Sequence, residues 1–219
     1  SQLTERLIQQ DGVEFMLGPY STTMTKAVAP VTEKFKVPMV EAEGASRSLF
    51  TQGYKYMFAV LSTSEYYLAP VLDIMADKAK AMGKNPADLR ISMAFENDGF
   101  SLDVRAGVVD KAKEHGMKIV IDDKLPADLS DMSATLTKTK ALKPDILLVS
   151  GHSKGAATAA RQIEEMKIDV PLIAYTHCEA AKVQEKFPKS ANGVMCPTQW
   201  LSNLPKGDDY FGDAAKWNS

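Results

Sequence analysis

Two short loops rich in Gly, Ser and Thr are the segments of this chain best suited to bind a small anion. One loop, residues 18–22 (GPYST), follows an apolar run that ends at Leu17; the other, residues 44–46 (GAS), follows a run that ends at Val40. Backbone N–H groups at the start of a helix favour an anion, and Ser and Thr hydroxyls add donors. Gly44 would let the backbone approach a ligand closely. We therefore expect a carboxylate-binding site here, whereas each loop taken alone could be a simple turn.

The histidines are the next residues that could carry chemistry. His152 and His177 each follow a predicted strand, and Cys178 comes directly after His177. Their spacing matches no compact metal-binding motif. Three interpretations stay open: contacts with a bound ligand, ordinary loop histidines, or a metal site. We favour the first and predict no metal.

Nucleophilic catalysis has little support from the residue pattern. Neighbours on a chain, such as His177 and Cys178, seldom direct both side chains into hydrogen-bonding geometry. The chain contains neither a phosphate-binding loop nor the Gly-x-Gly-x-x-Gly dinucleotide pattern. We therefore predict a protein that binds a ligand, has no catalytic residues and needs no cofactor.

Composition narrows the class of protein. The 219 residues are 45% hydrophobic and 25% charged, with a net charge of −2. This is ordinary globular composition, and it provides no basic stripe for nucleic acid. No apolar run approaches the ~20 residues that a membrane-spanning helix needs. No signal peptide opens the chain, but an exported protein would already have lost it. Cys178 and Cys196 could form one bridge or remain two thiols.

The candidate residues need a scaffold, and the sequence predicts one by alternation. Strand-like apolar runs occupy 14–17, 37–40, 89–95, 117–121, 145–149, 170–175 and 193–197. Helical patterns lie between them, at 23–35, 65–82, 102–115, 132–142, 154–166 and 179–187. Such alternation predicts βαβ units with parallel sheets, in which ligands bind beyond the carboxyl ends of the strands. Both Gly-rich loops lie at that position.

A different kind of segment, residues 41–64, interrupts the alternation. It is rich in Gly, Ser and aromatic residues, and we interpret it as a loop, a short strand at 54–60 and a crossing between two lobes. A second crossing is expected near 198–201. The predicted domains are part of lobe 1 at 1–63, lobe 2 at 64–199, and a return segment into lobe 1 at 200–219. Because the chain begins and ends inside predicted helices, we expect lobe 1 to be incomplete at both ends.

Several short motifs, in a fixed order, carry a family resemblance. They are 16–22 (MLGPYST), 27–30 (AVAP), 37–40 (VPMV), 44–46 (GAS), 53–56 (GYKY), 96–100 (ENDGF), 136–138 (LTK), 143–145 (KPD), 193–194 (GV) and 198–200 (TQW). The chain resembles the branched-chain amino-acid-binding family of periplasmic solute-binding proteins of ABC transporters.

The family has a type 1 periplasmic binding fold: two Rossmann-like lobes with parallel sheets, joined by a hinge around a cleft. The resemblance implies a monomeric, non-enzymatic receptor in the periplasm that delivers a small solute to an ABC permease in the inner membrane. It implies no nucleic-acid partner. The alternative is a sensory or regulatory ligand-binding domain on the same fold.

The resemblance also assigns contacts with the ligand. In the family the two Gly-rich loops grip a carboxylate, and that role passes here to Thr22, Ala45 and Ser46. Ser21 is the alternative if the register shifts by one residue. Ser64, at the first crossing, matches another contact position of the family.

The second lobe departs from the family pattern. Amino-acid binders place an acidic residue after the strand that here ends at Tyr175, and that position falls on Thr176 or His177. Neither residue can neutralise a buried ammonium, which is costly to desolvate without a carboxylate. We therefore favour a carboxylate ligand that lacks an α-amine. The alternative is an amino acid whose ammonium is received by Glu41 or Glu43.

The aromatic residues near these loops suit a flat ligand. An aromatic or other organic acid could stack against side chains that follow strands or lie at the crossings: Tyr20, Tyr66, Tyr67, His152, His177 and Trp200.

Overall fold

The computed structural model describes residues 1–179 and 181–199 of the chain, and these residues form two parallel β-sheets. The strands are Met16–Leu17 (β1), Met39–Glu41 (β2), Met57–Ala59 (β3), Arg90–Glu96 (β4), Lys118–Leu125 (β5), Ile146–Ser150 (β6) and Leu172–Tyr175 (β7). The first sheet has the order β1-β2-β3 and the second β5-β4-β6-β7, with every pair parallel. The predicted α/β class is confirmed.

Helices connect the strands. They are Gln2–Gln9 (α1), Thr22–Phe35 (α2), Arg47–Phe50 (α3), Ala69–Ala81 (α4), Gly99–His115 (α5), Ser133–Leu142 (α6), Ser153–Glu165 (α7), Ala181–Lys186 (α8) and Pro188–Ala191 (α9). The helix predicted over 65–82 is divided into a short 3₁₀ turn, Ser64–Tyr66, and α4. Pro70 lies in the first turn of α4, where a proline is tolerated. Among the described residues, no helix combines the length and the apolar character needed to span a bilayer.

The second sheet is buried on both faces, as expected for parallel strands flanked by helices. Ile91, Met93 and Phe95 of β4 belong to one apolar cluster, together with residues of α4 and α5. Ala94 of β4 and Val149 of β6 face the opposite cluster, which includes residues of α6 and α7. Burial of each large side chain contributes about 1.5–3 kcal/mol relative to exposure. This core fixes where β4 and β6 end.

The first sheet is smaller and less covered. Val28 and Ala29 of α2 pack against Met39 of β2. On the same three strands, Leu17 and Phe58 are exposed. The short strand predicted over 54–60 is confirmed in its middle, at β3.

The chain after β7 is tied down by a disulfide. Cys178 and Cys196 are bonded, with Cα atoms 5.7 Å apart, which decides between the bridge and the two thiols that the sequence left open. The strand predicted over 193–197 is not formed. Only one bridge, between Met195 and Ala174, continues the sheet there.

Candidate functional site

A cavity of about 130 Å³ lies where the carboxyl ends of the two sheets meet. Loops that follow β1, β2, β4, β6 and β7 all reach it, as the topology of parallel sheets predicts. Its lining consists of Tyr20, Ser21, Thr22, Ala42, Glu43, Tyr67, Phe100, His152, His177 and Gln199. Two larger grooves, of about 370 and 450 Å³, lie along α4, and the first of them shares Tyr67 and Gln199 with the smaller cavity. Position relative to the strand ends, rather than size, marks the smaller cavity as the candidate site.

A buried glutamate fixes the two loops on the side of the first sheet. Glu41 ends β2, and its carboxylate accepts hydrogen bonds from the Thr25 hydroxyl at 2.8 Å and from the backbone N–H groups of Glu43 and Gly44 at 2.7 and 2.6 Å. A Cβ on Gly18 would lie 2.0 Å from this carboxylate. Glu41 therefore holds the loops in place, and its acceptors are directed at the protein rather than at the cavity.

The second Gly-rich loop supports the first. The backbone N–H of Ser46 donates to the Thr22 hydroxyl at 3.3 Å, and the Ser46 hydroxyl donates to Asp103 at 2.6 Å. Ser46 and Ala45 are buried and lie behind the cavity wall, while Thr22 reaches the lining. In this arrangement Ser46 positions Thr22 and connects the loop to α5.

The side formed by the second sheet carries a chain of polar side chains. The Nε2 atom of His152 lies 2.7 Å from Asp98 Oδ2, and its Nδ1 atom is hydrogen-bonded to the Tyr20 hydroxyl. Asp98 also caps α5 by accepting from the backbone N–H of Ser101 at 2.7 Å. Since Tyr20 follows β1 and His152 follows β6, this chain joins the two sheets across the cavity.

Aromatic rings surround the same point. The Phe100 ring lies 5.5 Å from that of His152, 5.7 Å from that of His177 and 5.4 Å from that of Tyr67, measured between centroids. His177 is oriented by its Nδ1 atom, 2.8 Å from the Gly151 carbonyl oxygen. The cavity therefore has a flat, largely aromatic wall with polar edges.

A second buried glutamate lies behind His152. Glu96 ends β4, and its Oε1 atom accepts only a long hydrogen bond, 3.4 Å, from the backbone N–H of His152. Its Oε2 atom is buried and has no partner among the described residues. A Cβ on Gly151 or Gly155 would lie 2.6 or 2.7 Å from Oε1. These two glycines allow the carboxylate to fit beneath the loop.

The environment shifts the proton affinities of this group. The hydrogen bond that His152 donates to Asp98 raises the pKa of His152 in spite of burial. Burial alone would raise the pKa of Asp98, but hydrogen bonds from His152 and Ser101 outweigh it and hold that pKa below its usual value. Burial raises the pKa of Glu96 to about 7. Burial, followed by the nearby carboxylates, raises the pKa of Tyr20 to about 12. Around neutral pH, Tyr20 keeps its proton, while Glu96 is close to titration.

Ligand atoms of Glu96, Asp98 and His152 lie within 4.8 Å of one another, as a metal site would require. The imidazole nitrogen that faces Asp98 is already hydrogen-bonded to it, and the raised pKa of Glu96 favours a proton there. This donor set is better explained by proton binding, and the absence of a metal stays a prediction.

The structure brings together half of the residues predicted for the site. Six line the cavity: Tyr20, Ser21, Thr22, Tyr67, His152 and His177. Five are buried or lie outside the lining: Gly44, Ala45, Ser46, Ser64 and Thr176. Trp200 lies outside the described residues, as does the return segment 200–219. The contacts of all twelve with a ligand remain predictions.

Two of the buried positions have clear structural partners. The Thr176 hydroxyl donates to the Gly151 carbonyl oxygen at 2.7 Å and so connects β7 to the loop after β6. The backbone N–H of Ser64 donates to the Ala45 carbonyl oxygen at 2.8 Å, which connects the first crossing to the second Gly-rich loop.

Sequence reasoning did not assign four lining residues to the site: Ala42, Glu43, Phe100 and Gln199. Glu43 was considered as a solvated surface residue, as an acid/base partner of Glu41 or as a partner for an ammonium, and was not assigned to the site. Phe100 and Gln199 belong to motifs that carry the family resemblance, and Phe100 lies just beyond the end of β4. Placement after a strand is the signal that could have identified them.

Residues 151–155 read Gly-x-Ser-x-Gly, a pattern that marks the nucleophile of α/β-hydrolases. Here Ser153 is exposed at the start of α7. Both ring nitrogens of the adjacent His152 are engaged, with Tyr20 and Asp98. Ser153 therefore has no base in His152, and the two glycines have another role, to make room for Glu96.

Known proteins match the chain along most of its length. A family model described as "Periplasmic binding protein" matches residues 1–216. Leu/Ile/Val-binding protein homolog 8 of Brucella abortus (strain 2308) is 24% identical over 161 residues, which is 73% of this chain and 40% of the relative. The chain thus spans about two fifths of the length of the curated relatives it matches.

Solved structures share the fold. A leucine-binding protein from Thermotoga maritima superposes with a TM-score of 0.78 at 20% identity, covering 94% of this chain and 57% of its own. A solute-binding protein of an ABC transporter from R. palustris, in complex with benzoate, also has a TM-score of 0.78, at 13% identity, covering 94% of this chain and 55% of its own. Together with the fold and the cavity, the match over residues 1–216 identifies the chain as a member of the periplasmic binding protein family.

Proposed function

We propose that this chain captures a small carboxylate-bearing solute and presents it to an ABC importer. The observation that carries the proposal is the construction of the cavity, whose wall combines loops after β1 and β2 with loops after β4, β6 and β7. A ligand bound there contacts both sheets at once. Such a ligand stabilises the arrangement in which the sheets approach each other.

We propose that the two sheets are the cores of two lobes, residues 1–63 and 64–199, that close by a hinge. A membrane permease would then recognise the closed form. The segment 41–64 and the chain near 198 are the crossings in this description. The hydrogen bonds between Ser62 and Gln199, at 3.2 and 3.3 Å, connect these two segments and support a hinge at that place.

The ligand we favour is an aromatic carboxylate without an α-amine. Its ring fits the wall formed by Tyr20, Tyr67, Phe100 and His177, and its carboxylate fits the polar edge at Ser21. The position where amino-acid binders place an acid falls here on Thr176, whose buried hydroxyl donates to the Gly151 carbonyl oxygen, or on His177, whose Nδ1 atom is engaged with the same oxygen. The fold neighbour from R. palustris that binds benzoate supports the same choice.

A branched-chain amino acid is the second candidate, and one residue favours it. Glu43 lines the cavity and is exposed, so its carboxylate could receive an ammonium. Glu41 cannot serve in this way because its carboxylate is already hydrogen-bonded to the loops. The leucine-binding neighbour from Thermotoga maritima supports this candidate.

We place the protein in the periplasm, as a monomer that meets a permease in the inner membrane. The Cys178–Cys196 disulfide supports an oxidising compartment, where such bonds persist. A sensory or regulatory domain of the same fold is the alternative. It would differ in being joined to a signalling segment rather than to a transport system.

A thermal-shift panel tests the ligand class. We expect benzoate and related aromatic acids to raise the melting temperature of the chain more than leucine or valine do. The Tyr67→Ala variant, which removes one ring of the wall, should show a smaller shift with benzoate. A response to leucine at micromolar concentration, with none to the acids, would contradict the aromatic-acid assignment and favour the amino acid.

Recovery of the bound acid unchanged after incubation is the expected result for a receptor rather than an enzyme.

A further inference from the structure

His152 is hydrogen-bonded to the carboxylate of Asp98 and to the phenol of Tyr20, and these two partners determine which ring nitrogen carries a proton. Asp98 can only accept at Nε2, 2.7 Å away, so neutral His152 carries its single ring proton on Nε2. The Nδ1 atom then has a lone pair. It therefore accepts the hydroxyl proton of Tyr20.

The direction of this hydrogen bond decides what Tyr20 offers to the cavity. With neutral His152, the only proton of the Tyr20 hydroxyl is used by Nδ1, and the oxygen presents lone pairs to the cavity. With protonated His152, Nδ1–H donates to the Tyr20 oxygen, and the Tyr20 O–H is free to turn to a ligand. A carboxylate can only accept hydrogen bonds. It is therefore bound when His152 is protonated and repelled when His152 is neutral.

Among the described residues that line the cavity there is no Lys or Arg, so His152 and His177 are the side chains of this lining that can carry a positive charge. The charged and titratable groups around His152 come from every packed element. They are Tyr20 after β1, Lys26 on α2 beside the start of α5, Glu43 after β2, Tyr67 before α4, Glu96 at the end of β4, Asp98 before α5, Lys154 on α7 paired with Asp128, and His177 and Glu179 after β7. Carboxylates outnumber cations in this set, so the neighbours add no positive charge at the cavity wall to replace that of His152.

We propose that Tyr20 and His152 form a proton-linked carboxylate site, which binds one ligand carboxylate together with one proton from solvent. The proton goes to Nδ1 of His152, the Tyr20 hydroxyl turns from His152 to the carboxylate, and no covalent bond changes. The inference rests on the proposed function and specifies which groups hold the ligand's charge.

The proton affinities of the neighbours agree with this assignment. The hydrogen bond to Asp98 raises the pKa of His152, so its protonated form is accessible near neutral pH. Burial lowers the pKa of His177, which keeps the second imidazole neutral. Burial raises the pKa of Glu96 to about 7, so Glu96 is the competing acceptor that an experiment must separate from His152.

Calorimetric titration of the chain with benzoate, in two buffers of different ionisation enthalpy, measures the protons taken up on binding. Above the pKa of His152 we expect uptake to approach one proton per benzoate. The affinity should then fall toward about tenfold per pH unit. His152→Gln should abolish the uptake.

A matched control is available in the same chain. His115 forms a similar pair with Asp73, with Nε2 and Oδ1 2.7 Å apart, on α5 and α4 away from the cavity. His115→Gln should leave both the affinity for benzoate and the proton uptake unchanged. Tyr20→Phe keeps the ring but removes the hydroxyl, and it should lose about tenfold in affinity together with the proton uptake.

The outcomes separate this inference from the proposed function. Benzoate binding without proton uptake, or with equal uptake in His152→Gln, overturns the proton-linked site and leaves the receptor function standing. Uptake that disappears in Glu96→Gln but persists in His152→Gln overturns the assignment to His152. Binding of leucine with no binding of benzoate overturns both the inference and the aromatic-acid proposal.

Discussion

Two buried glutamates occupy matching places in the two sheets and have different surroundings. Glu41 ends the central strand of the first sheet, Glu96 ends an inner strand of the second, and each lies against a loop glycine, Gly18 or Gly151. Three donors within 2.8 Å satisfy the carboxylate of Glu41. The carboxylate of Glu96 accepts one bond of 3.4 Å, and its second oxygen has no partner in the described chain. The same placement therefore yields a structural carboxylate on one side and a titratable one on the other.

The two sides of the cavity therefore have different roles. The first-sheet side is a fixed frame in which Glu41 and Ser46 hold the Gly-rich loops. The second-sheet side holds two groups whose pKa is raised, Glu96 to about 7 by burial and His152 by its hydrogen bond to Asp98. Selectivity for ligand charge should therefore depend on the second side, and stability on the first.

The largest effect we predict compares the two glutamates directly. Glu41→Gln should lower the free energy of unfolding by about 2 kcal/mol at pH 8, because two backbone N–H groups lose a charged acceptor. Glu96→Gln should not lower it at pH 8, because the carboxylate that it replaces is poorly paired and is ionised there, above its raised pKa of about 7. Urea unfolding measures both. Equal losses would remove the distinction between the two sides.

The next prediction concerns Ser46. Its hydroxyl donates to Asp103 inside the protein, so Ser46→Ala should cost about 1–2 kcal/mol of unfolding free energy. Affinity for benzoate should change less than about threefold, a difference of under 1 kcal/mol. Calorimetry and urea unfolding on the same preparation separate the two effects. A tenfold loss of affinity at unchanged stability would make Ser46 a direct ligand contact, as the family resemblance implies.

The pH dependence of stability is a further diagnostic of the second-sheet side. Burial raises the pKa of Glu96 from 4.5 in the unfolded chain to about 7 in the folded protein. The folded state therefore binds more protons between these values. The contribution of the Glu96 proton to the free energy of unfolding is complete below about pH 4.5 and is lost as the pH rises through 7. The raised pKa of His152 acts in the same direction.

We expect the melting temperature to fall more steeply between pH 5 and 8 in the wild type than in Glu96→Gln. Parallel curves of melting temperature against pH would contradict the claim that burial raises the pKa of Glu96.

The smallest effect should come from Glu43. This exposed carboxylate lines the cavity, and its repulsion of an anionic ligand is weak because water screens it. Glu43→Gln should strengthen benzoate binding by about two- to threefold, which calorimetry resolves. A marked loss of leucine binding in the same variant, with leucine bound well by the wild type, would instead assign Glu43 to an ammonium.

The scaffold was predictable from the sequence because its signals are local. Apolar runs and helical spacing located all seven strands and the main helices to within a few residues. The exceptions have physical causes. The helix predicted over 65–82 is divided, and Pro70 lies in the first turn of its longer part, α4. The run 193–197 forms one bridge to the sheet, through Met195, next to the Cys178–Cys196 disulfide.

The residues around the cavity were predictable in part, but the partners of their side chains were not. Position after a strand correctly brought Tyr20, Thr22 and His152 to one cavity. The partners of a side chain depend on contacts distant in sequence, so the pairing of Ser46 with Asp103 was not visible in any motif. The same holds for the Tyr20–His152–Asp98 chain, whose members are up to 132 residues apart.

One titration tests the central claim most directly. Benzoate and leucine are titrated separately into the same preparation of the chain at pH 7, and the two dissociation constants are compared. The account predicts that benzoate binds more tightly by at least about tenfold. The proposed site at Tyr20 and His152 takes the carboxylate, and Thr176 or His177 lies where an ammonium would need an acid. Tighter binding of leucine would contradict the account.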